Sequence, residues 1–310
     1  MATVFDKICK RIEFYKSDKD TREYISHNRK NFVSCLDVAG NGPEVLFELN
    51  NIAVSHIAYS YMANVLAVKH KAKIKAYRPY TSSNIFRWFD RKLSEILSFN
   101  ENGIYKSFGT TDSLQPAITR GQRDKAKKIT KEIFSNLKTK SDIENITIDG
   151  VWIGDLIYDG FLRKYLEPTI LLTDEKFFVF LVESIATYVF WIDYFNTHDV
   201  KAVNTSHTGY LLAIPLRIAI DREIDAYQSN ATHIYKLDKN NMFAYSEFLY
   251  YPIMYEKLPI KIKENGLVEA KKRIDLRLSG EVGVDMSYSK HSAFGEFQED
   301  RVLKVSTKIK

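Results

Sequence analysis

The stretch from Glu44 to Tyr77 constrains the fold most. EVLFELN (44–50) is an apolar run of strand length. Behind Ser55, an N-cap candidate, HIAYSYMANVLAVKH repeats its apolar residues at helical spacing, and AKIKAY (72–77) alternates like a second strand. Two strands joined through a helix pair in parallel, because parallel neighbours need a crossover connection. The segment therefore predicts a βαβ unit, the start of a doubly wound sheet.

The pattern continues downstream. NIFRWFDRKLSEIL (84–97) reads as a helix with an apolar stripe, NGIYKSFG (102–109) as a third strand and 114–138 as a long polar helix. In NITIDGVWIG, Asp149-Gly150 separates two alternating runs, and both turn positions favour positive φ, so a β-hairpin is predicted. DLIYDGFLRKYL (155–166) returns to helical period and Pro168 ends it. The residues from 174 to 198 are apolar enough to be mistaken for a membrane span; with Glu183 and Asp193 inside and more α/β sequence beyond, a buried core helix is the better reading. KAVNTS (201–206) reads as a strand, 210–227 as a helix and THIYKL (232–237) as another strand.

The expected class is thus α/β: a Rossmann-like, mostly parallel sheet with flanking helices and a hairpin insertion. An N-terminal helical segment spans 1–40, the Rossmann-like domain 41–240, and a C-terminal extension 241–310. In that extension FLYYPIMYEKLPIKIKENG is broken by proline, LVEAKKRIDLRLSG reads as a helix stopped at Gly280, and VLKVSTKIK is a basic, strand-like tail.

Composition narrows the function. A length of 310 residues allows one large α/β domain or two smaller ones, and 45% apolar residues supply a sizeable core. The net charge of +6 is dispersed, with its densest runs at RGQRDKAKKITK (120–131) and KLPIKIK (257–263). Weak attraction to anionic ligands or an anionic membrane surface fits that balance; no RNA- or DNA-binding motif accompanies it, so no nucleic-acid partner is expected. Cys9 and Cys35 lack metal-ligand spacing and suit a reducing compartment. The N-terminus is polar from its first turn, unlike a signal peptide, and a cytoplasmic protein is expected. No G-x-G-x-x-G or P-loop pattern follows the first strand, no G-x-S-x-G occurs, and no His-x-x-x-His, Cys-x-x-Cys or D-x-D cluster suggests a metal.

Three constellations carry candidate chemistry. His56, next to Ser55 just past the first strand, stands where open α/β sheets bind ligands, and an imidazole there can serve as general base; Asn51 joins Ser55 as a substrate contact at that turn. Asp155 and Asp159 share one helix face, a turn from Arg163, and can hold sugar hydroxyls or abstract a proton; the plainer alternative is a helix-dipole residue and an Asp159–Arg163 pair. Thr205, Ser206, His207 and Thr208 lie at a strand's carboxyl end, with Gly209 allowing close approach and a helix N-terminus directed at the loop. Arg217 lies farther along that helix. The isolated His27, His70, His198, His233 and His291, and the aromatic row Phe248, Tyr250, Tyr251 and Tyr255, read as structural.

Four stretches together resemble a family of large glycosyltransferases from bacterial capsule and O-antigen biosynthesis. They are SHIAYSYMANVLAVKHKAKIKAY (55–77), DGVWIGDLIYDGFLRKY (149–165), NTSHTGYLLAIPLRIAI (204–220) and LRLSGEVGVDMSYSKHSAFGE (276–296). The resemblance implies the N-terminal half of a GT-B-like layout, in which the N-terminal domain holds the acceptor and the base. A second domain or subunit holds the nucleotide-sugar donor, which is a co-substrate, and no cofactor or metal is implied. It further implies His56 as base, with Asp155 second, a glycan acceptor that can be lipid-linked, and a place at the inner membrane periphery. Because the chain ends at Lys310, the donor half is expected to be supplied separately. A non-catalytic carbohydrate-binding or assembly partner of the same pathway is the alternative; a small-molecule enzyme with a complete site in one α/β domain is the third reading.

Overall fold

The computed structural model describes residues 18–32, 42–50, 53–78, 101–230, 233–243 and 251–281. The helix expected over 84–97, both cysteines, Asn51, His291 and the tail after 281 lie outside them. The chain divides into two compact units, Met1–Ala244 and Tyr245–Lys310.

In the first unit, helix α1 (Lys19–Phe32) precedes strand β1 (Glu44–Glu48), helix α2 (Ala53–His70) and strand β2 (Lys73–Tyr77). β1 and β2 pair in parallel, in register from Glu44↔Lys73 to Glu48↔Tyr77, which establishes the βαβ unit. α2 begins at Ala53, so Ser55 lies inside its first turn and not at its cap.

Helix α3 (Glu101–Ser107) and strand β3 (Thr110–Leu114) correct the reading of 102–109 as a strand. Ile104, Tyr105 and Phe108 form one helical face and are buried in a cluster with α2 and β2. Gly109, at φ 105°, turns the chain out of the helix. The strand that follows, TTDSL, is polar enough to escape a search for apolar alternation, and it is tolerated because it forms the sheet edge.

Helix α4 (Arg120–Phe134) is shorter than the predicted 114–138, because Thr119 caps it in a reciprocal capping box with Gln122. A short helix α5 (Lys140–Glu144) leads to the hairpin β4 (Thr147–Ile148) and β5 (Val151–Trp152), with Asp149 at φ 51° and Gly150 at φ 89° as the sequence requires. Helix α6 (Gly154–Tyr165) starts where a Cβ on Gly154 would meet Ile143 O at 2.2 Å, so only glycine lets the hairpin fold onto α5.

Helix α7 (Glu175–Thr197) is long and apolar enough to cross a membrane, yet 67% of its most apolar window is buried inside the protein. Phe177, Leu181, Ile185, Tyr188 and Trp191 enter the larger core cluster. At roughly 25 cal/mol per Å² of apolar surface removed from water, such side chains stabilise the fold by about 1.5–3 kcal/mol each.

Strand β6 (Val200–Thr205) pairs in parallel with β1. A 3₁₀ turn (Leu211–Ala213) and helix α8 (Ile214–Asp221) follow, then strands β7 (Asp225–Ser229) and β8 (Ile234–Leu237). The helix expected over 210–227 therefore stops early. Glu223 at φ 58° breaks it, and 225–229 crosses back as a strand whose alternate residues are buried.

The sheet order is β3-β2-β1-β6-β7-β8, parallel except for the antiparallel β8. Renumbered without the separate hairpin, this is 3-2-1-4-5-6, the Rossmann order with its reversal between β1 and β6. The smaller core cluster joins α1, α2 and α3 to Val45, Phe47, Ile74 and Ala76 on one sheet face. The larger holds α6, α7 and α8 against Leu46, Tyr77 and Val203 on the other.

In the second unit, helix α9 (Tyr251–Glu256) and helix α10 (Ile260–Leu278) meet at a turn closed by Lys263 Nζ, which donates to Glu256 O at 2.9 Å. Apolar side chains along α10, among them Ile260, Leu267 and Ile274, are exposed.

Candidate functional site at the carboxyl ends of β1 and β6

Ligands of open α/β sheets bind outside the carboxyl ends of the strands, where the strand order reverses. Here that place lies between Glu48, the last residue of β1, and Thr205-Ser206 at the end of β6. β1 is central and buried along its whole length, so a near-continuous apolar run is expected there. Glu48 is 5% exposed and interrupts that run.

One oxygen of Glu48 ties the two strands together. Ser206 donates both its backbone N–H and its hydroxyl to Glu48 Oε2, each at 2.7 Å. Gln228, from the end of β7, donates to Ser206 O at 2.6 Å, and Thr205 Oγ1 donates to His207 O at 2.9 Å. Asn204 Oδ1 accepts from Ser229 Oγ at 2.7 Å. The loop that opens TSHTG is therefore shaped by side chains on three adjacent strands.

Tyrosines surround the carboxylate. Tyr105 Oη donates to Glu48 O at 2.6 Å and accepts from Asn50 N–H at 3.2 Å. Burial, reinforced by the nearby Glu48 charge, pushes the Tyr59 and Tyr77 phenols well above their ordinary range, so both remain protonated. Among the described residues no basic side chain forms an ion pair with Glu48, and its second oxygen, Oε1, takes no hydrogen bond. That oxygen keeps contact with solvent.

His56 borders the same turn. Its ring stands edge-on to Tyr105, with centroids 5.7 Å apart, and Nε2 lies 3.0 Å from Asn50 O. A carbonyl only accepts, so Nε2 carries a proton and the ring's lone pair in the neutral form is on Nδ1. His56 is 4% exposed, and Ser55 is equally buried beside it. Of the residues read at the first strand and in the TSHTG loop, Ser55, His56, Thr205 and Ser206 are buried, His207 is exposed and Thr208 is half-buried. Gly209 has open space around it and no left-handed φ, so the loop does not depend on glycine there.

Asp155 and Arg217 belong elsewhere. Arg217, read as a substrate contact farther along the helix, is 1% exposed and donates through Nη2 to Asp155 Oδ2 at 2.5 Å, between α6 and α8. Its guanidinium packs over Trp152 of the hairpin, 4.7 Å from the ring centroid, and beside Phe243. Burial pushes the Asp155 carboxyl up against the pull of Arg217, and burial likewise depresses the guanidinium. The pair ties α6 to α8 beside the hairpin. Asp159 does not pair with Arg163. Burial and the neighbouring Glu144 raise its pKa, with Lys140 acting in opposition, while Arg163 stacks on Tyr210. Among the described residues no group of three or more His, Cys, Asp and Glu side chains comes together to hold a metal ion.

Sequence patterning passed over Glu48, Asn204, Gln228 and Ser229. Their shared signal is a polar residue at or next to the carboxyl end of a buried parallel strand. In comparisons with known proteins, no family model, curated protein or solved structure matches the chain.

Proposed function

We propose that the chain is the acceptor-side, Rossmann-like part of a glycosyltransferase of bacterial surface-polysaccharide biosynthesis. The crevice at the carboxyl ends of β1 and β6 holds a sugar acceptor, and a second domain or subunit brings the nucleotide-sugar donor. The observation that carries this reading is a set of buried polar side chains at the strand-order reversal, with Glu48 bonded to Ser206 and His56 to Asn50 O. Its carboxylate, hydroxyl and imidazole suit a polyhydroxylated ligand better than a phosphate. The likeness of 55–77, 149–165 and 204–220 to surface-polysaccharide glycosyltransferases supports the same reading.

In the proposed reaction the acceptor hydroxyl oxygen bonds to the donor's anomeric carbon. The carbon–oxygen bond to the nucleotide breaks, and its electron pair leaves with the phosphate. The hydroxyl proton passes to the His56 imidazole. His56→Ala, assayed by nucleotide release in the complete transferase, is expected to lower turnover roughly 10²–10⁴-fold. Wild-type turnover in that variant removes His56 from the mechanism.

The engagement of His56 with a backbone carbonyl also suits a non-catalytic carbohydrate-binding partner, in which the imidazole only shapes the crevice. Calorimetry and amide-shift mapping with glucose, galactose, mannose, rhamnose and N-acetylglucosamine test both readings. Saturable binding that perturbs Asn50 and Ser206 is expected. A chain that binds none of these sugars, or binds them elsewhere, sinks both.

A further inference from the structure

Helix α10 (Ile260–Leu278) has no buried residue. A helix of this length is marginal in water on propensity alone and draws its stability from packing an apolar face. Gly266, in its middle, lowers that propensity further. At 3.6 residues per turn, Ile260, Glu264, Leu267, Lys271, Ile274 and Leu278 fall on one stripe about 80° wide. All six are exposed, and the apolar ones are each more than half open to solvent. Ile262 and Leu276 lie on the opposite side of the helix. Ile260, Leu267 and Ile274 recur every seventh residue. A stripe this narrow, with that repeat, is the seam of a coiled coil; a helix lying on a core or a membrane surface needs a broader face. The charges within the stripe agree. Glu264 and Lys271 are costly against hydrocarbon, but not against a helix that brings each the opposite charge.

We propose that α10 pairs with the α10 of a second copy of this chain, antiparallel about a two-fold axis level with Glu269. Ile260 then meets the partner's Leu278, Glu264 the partner's Ile274, and Leu267 the partner's Lys271, so every layer contains an apolar residue. At 1.5 Å rise per residue, Glu264 stands only about 4–5 Å along the axis from the partner's Lys271, within reach of both long side chains. On the flank, Lys261 faces the partner's Asp275, and the symmetry repeats each pair. Lys263 and the partner's Arg277 are a like-charged flank. Lys263, however, turns back to Glu256, donating to its O at 2.9 Å and its Oε2 at 3.1 Å. A parallel pair would set Glu264 against Glu264 and Lys271 against Lys271. Charge complementarity therefore selects both a second copy and its orientation, independently of any sugar bound by the first unit.

Sedimentation equilibrium of the full chain tests this. The wild-type mass is expected to rise toward twice that of the chain as concentration increases, and Leu267→Asp is expected to stay monomeric throughout. Ile262→Asp places the same charge on the opposite side of α10 and is expected to dimerise like the wild type. Glu264→Lys and Lys271→Glu should each weaken the dimer about tenfold or more, since each acts twice across the two-fold axis. The double exchange Glu264→Lys/Lys271→Glu should recover most of that loss.

A wild-type chain that remains monomeric overturns the proposal; the seam then belongs to another segment of the same chain or to a different partner. A dimer that survives Leu267→Asp, or one that Ile262→Asp also abolishes, overturns it as well, because the seam is then not the interface. A double exchange no better than the single ones rules out the antiparallel register, and with it the proposal.

Discussion

The two ends of strand β1 carry the same residue and treat it in opposite ways. At the amino end, Glu44 Oε1 accepts from Lys73 at 3.0 Å and Lys75 at 3.1 Å, and Tyr194 donates to Oε2. Burial works to raise the Glu44 carboxyl, but the tyrosine and the two lysines outweigh it and hold its pKa below the ordinary range. Asp225, at the same end of the sheet, is likewise ringed by Lys69, His70 and Lys236. At the carboxyl end, Glu48 is as buried and receives neutral donors on one oxygen only. The difference separates a carboxylate neutralised by cations from one held by neutral donors.

The comparison is broken most directly by exchanging each carboxylate for its amide. Glu44→Gln leaves two lysines, 17% and 12% exposed, without their counter-charge. A loss of about 3–5 kcal/mol in urea unfolding is expected, the cost of removing one partner from a buried ion pair. Glu48→Gln keeps the Ser206 latch and is expected to change stability by less than about 1 kcal/mol, since it strands no cation. Equal losses in the two variants would remove the contrast.

Acid titration sharpens it. Glu44 and Asp225 have folded pKa values below their unfolded ones, so the unfolded chain binds more protons in the acid range. Their stabilisation is present above the ordinary carboxylate pKa of about 4 and is lost as pH falls through the lowered folded values. The acid limb of the stability curve should therefore flatten in Glu44→Gln; an unchanged limb would show that other groups govern acid unfolding.

Ser206→Ala gives an effect well below that of Glu44→Gln. One charge-assisted hydrogen bond is lost while the backbone N–H bond to Glu48 remains, and a decrease of about 2 kcal/mol or less is expected. A much larger loss would mean that the latch, and not the ion pairs at the other end, secures β1 to β6.

Elements with a strong local period were legible in the sequence. EVLFELN, AKIKAY, KAVNTS and the Asp149-Gly150 hairpin appear as read, because alternation, apolar runs and turn residues act over a few positions. Two elements were misread where the tertiary setting overrode local pattern. TTDSL is a strand because β2 offers it a partner, and DAYQS is one because β6 and β8 flank it. Position after a strand singled out His56 and Ser206; the sequence did not show that Asp155, read as the second candidate base, and Arg217, read as a substrate contact, pair with each other across 62 residues.

TSHTG ends a strand, and the sequence alone placed it at the carboxyl edge of a parallel sheet, since backbone periodicity is a local property. Which carboxylate of EVLFE would meet cations lay beyond such reasoning. Glu44 is matched to Lys73 and Lys75 by strand register and to Tyr194 by the packing of α7, 150 residues away. The Glu48 carboxylate meets Ser206, 158 residues on, because the crossover places β6 beside β1. Charge pairing depends on through-space distance, and for residues so far apart in the chain that distance is set only when the sheet closes its order.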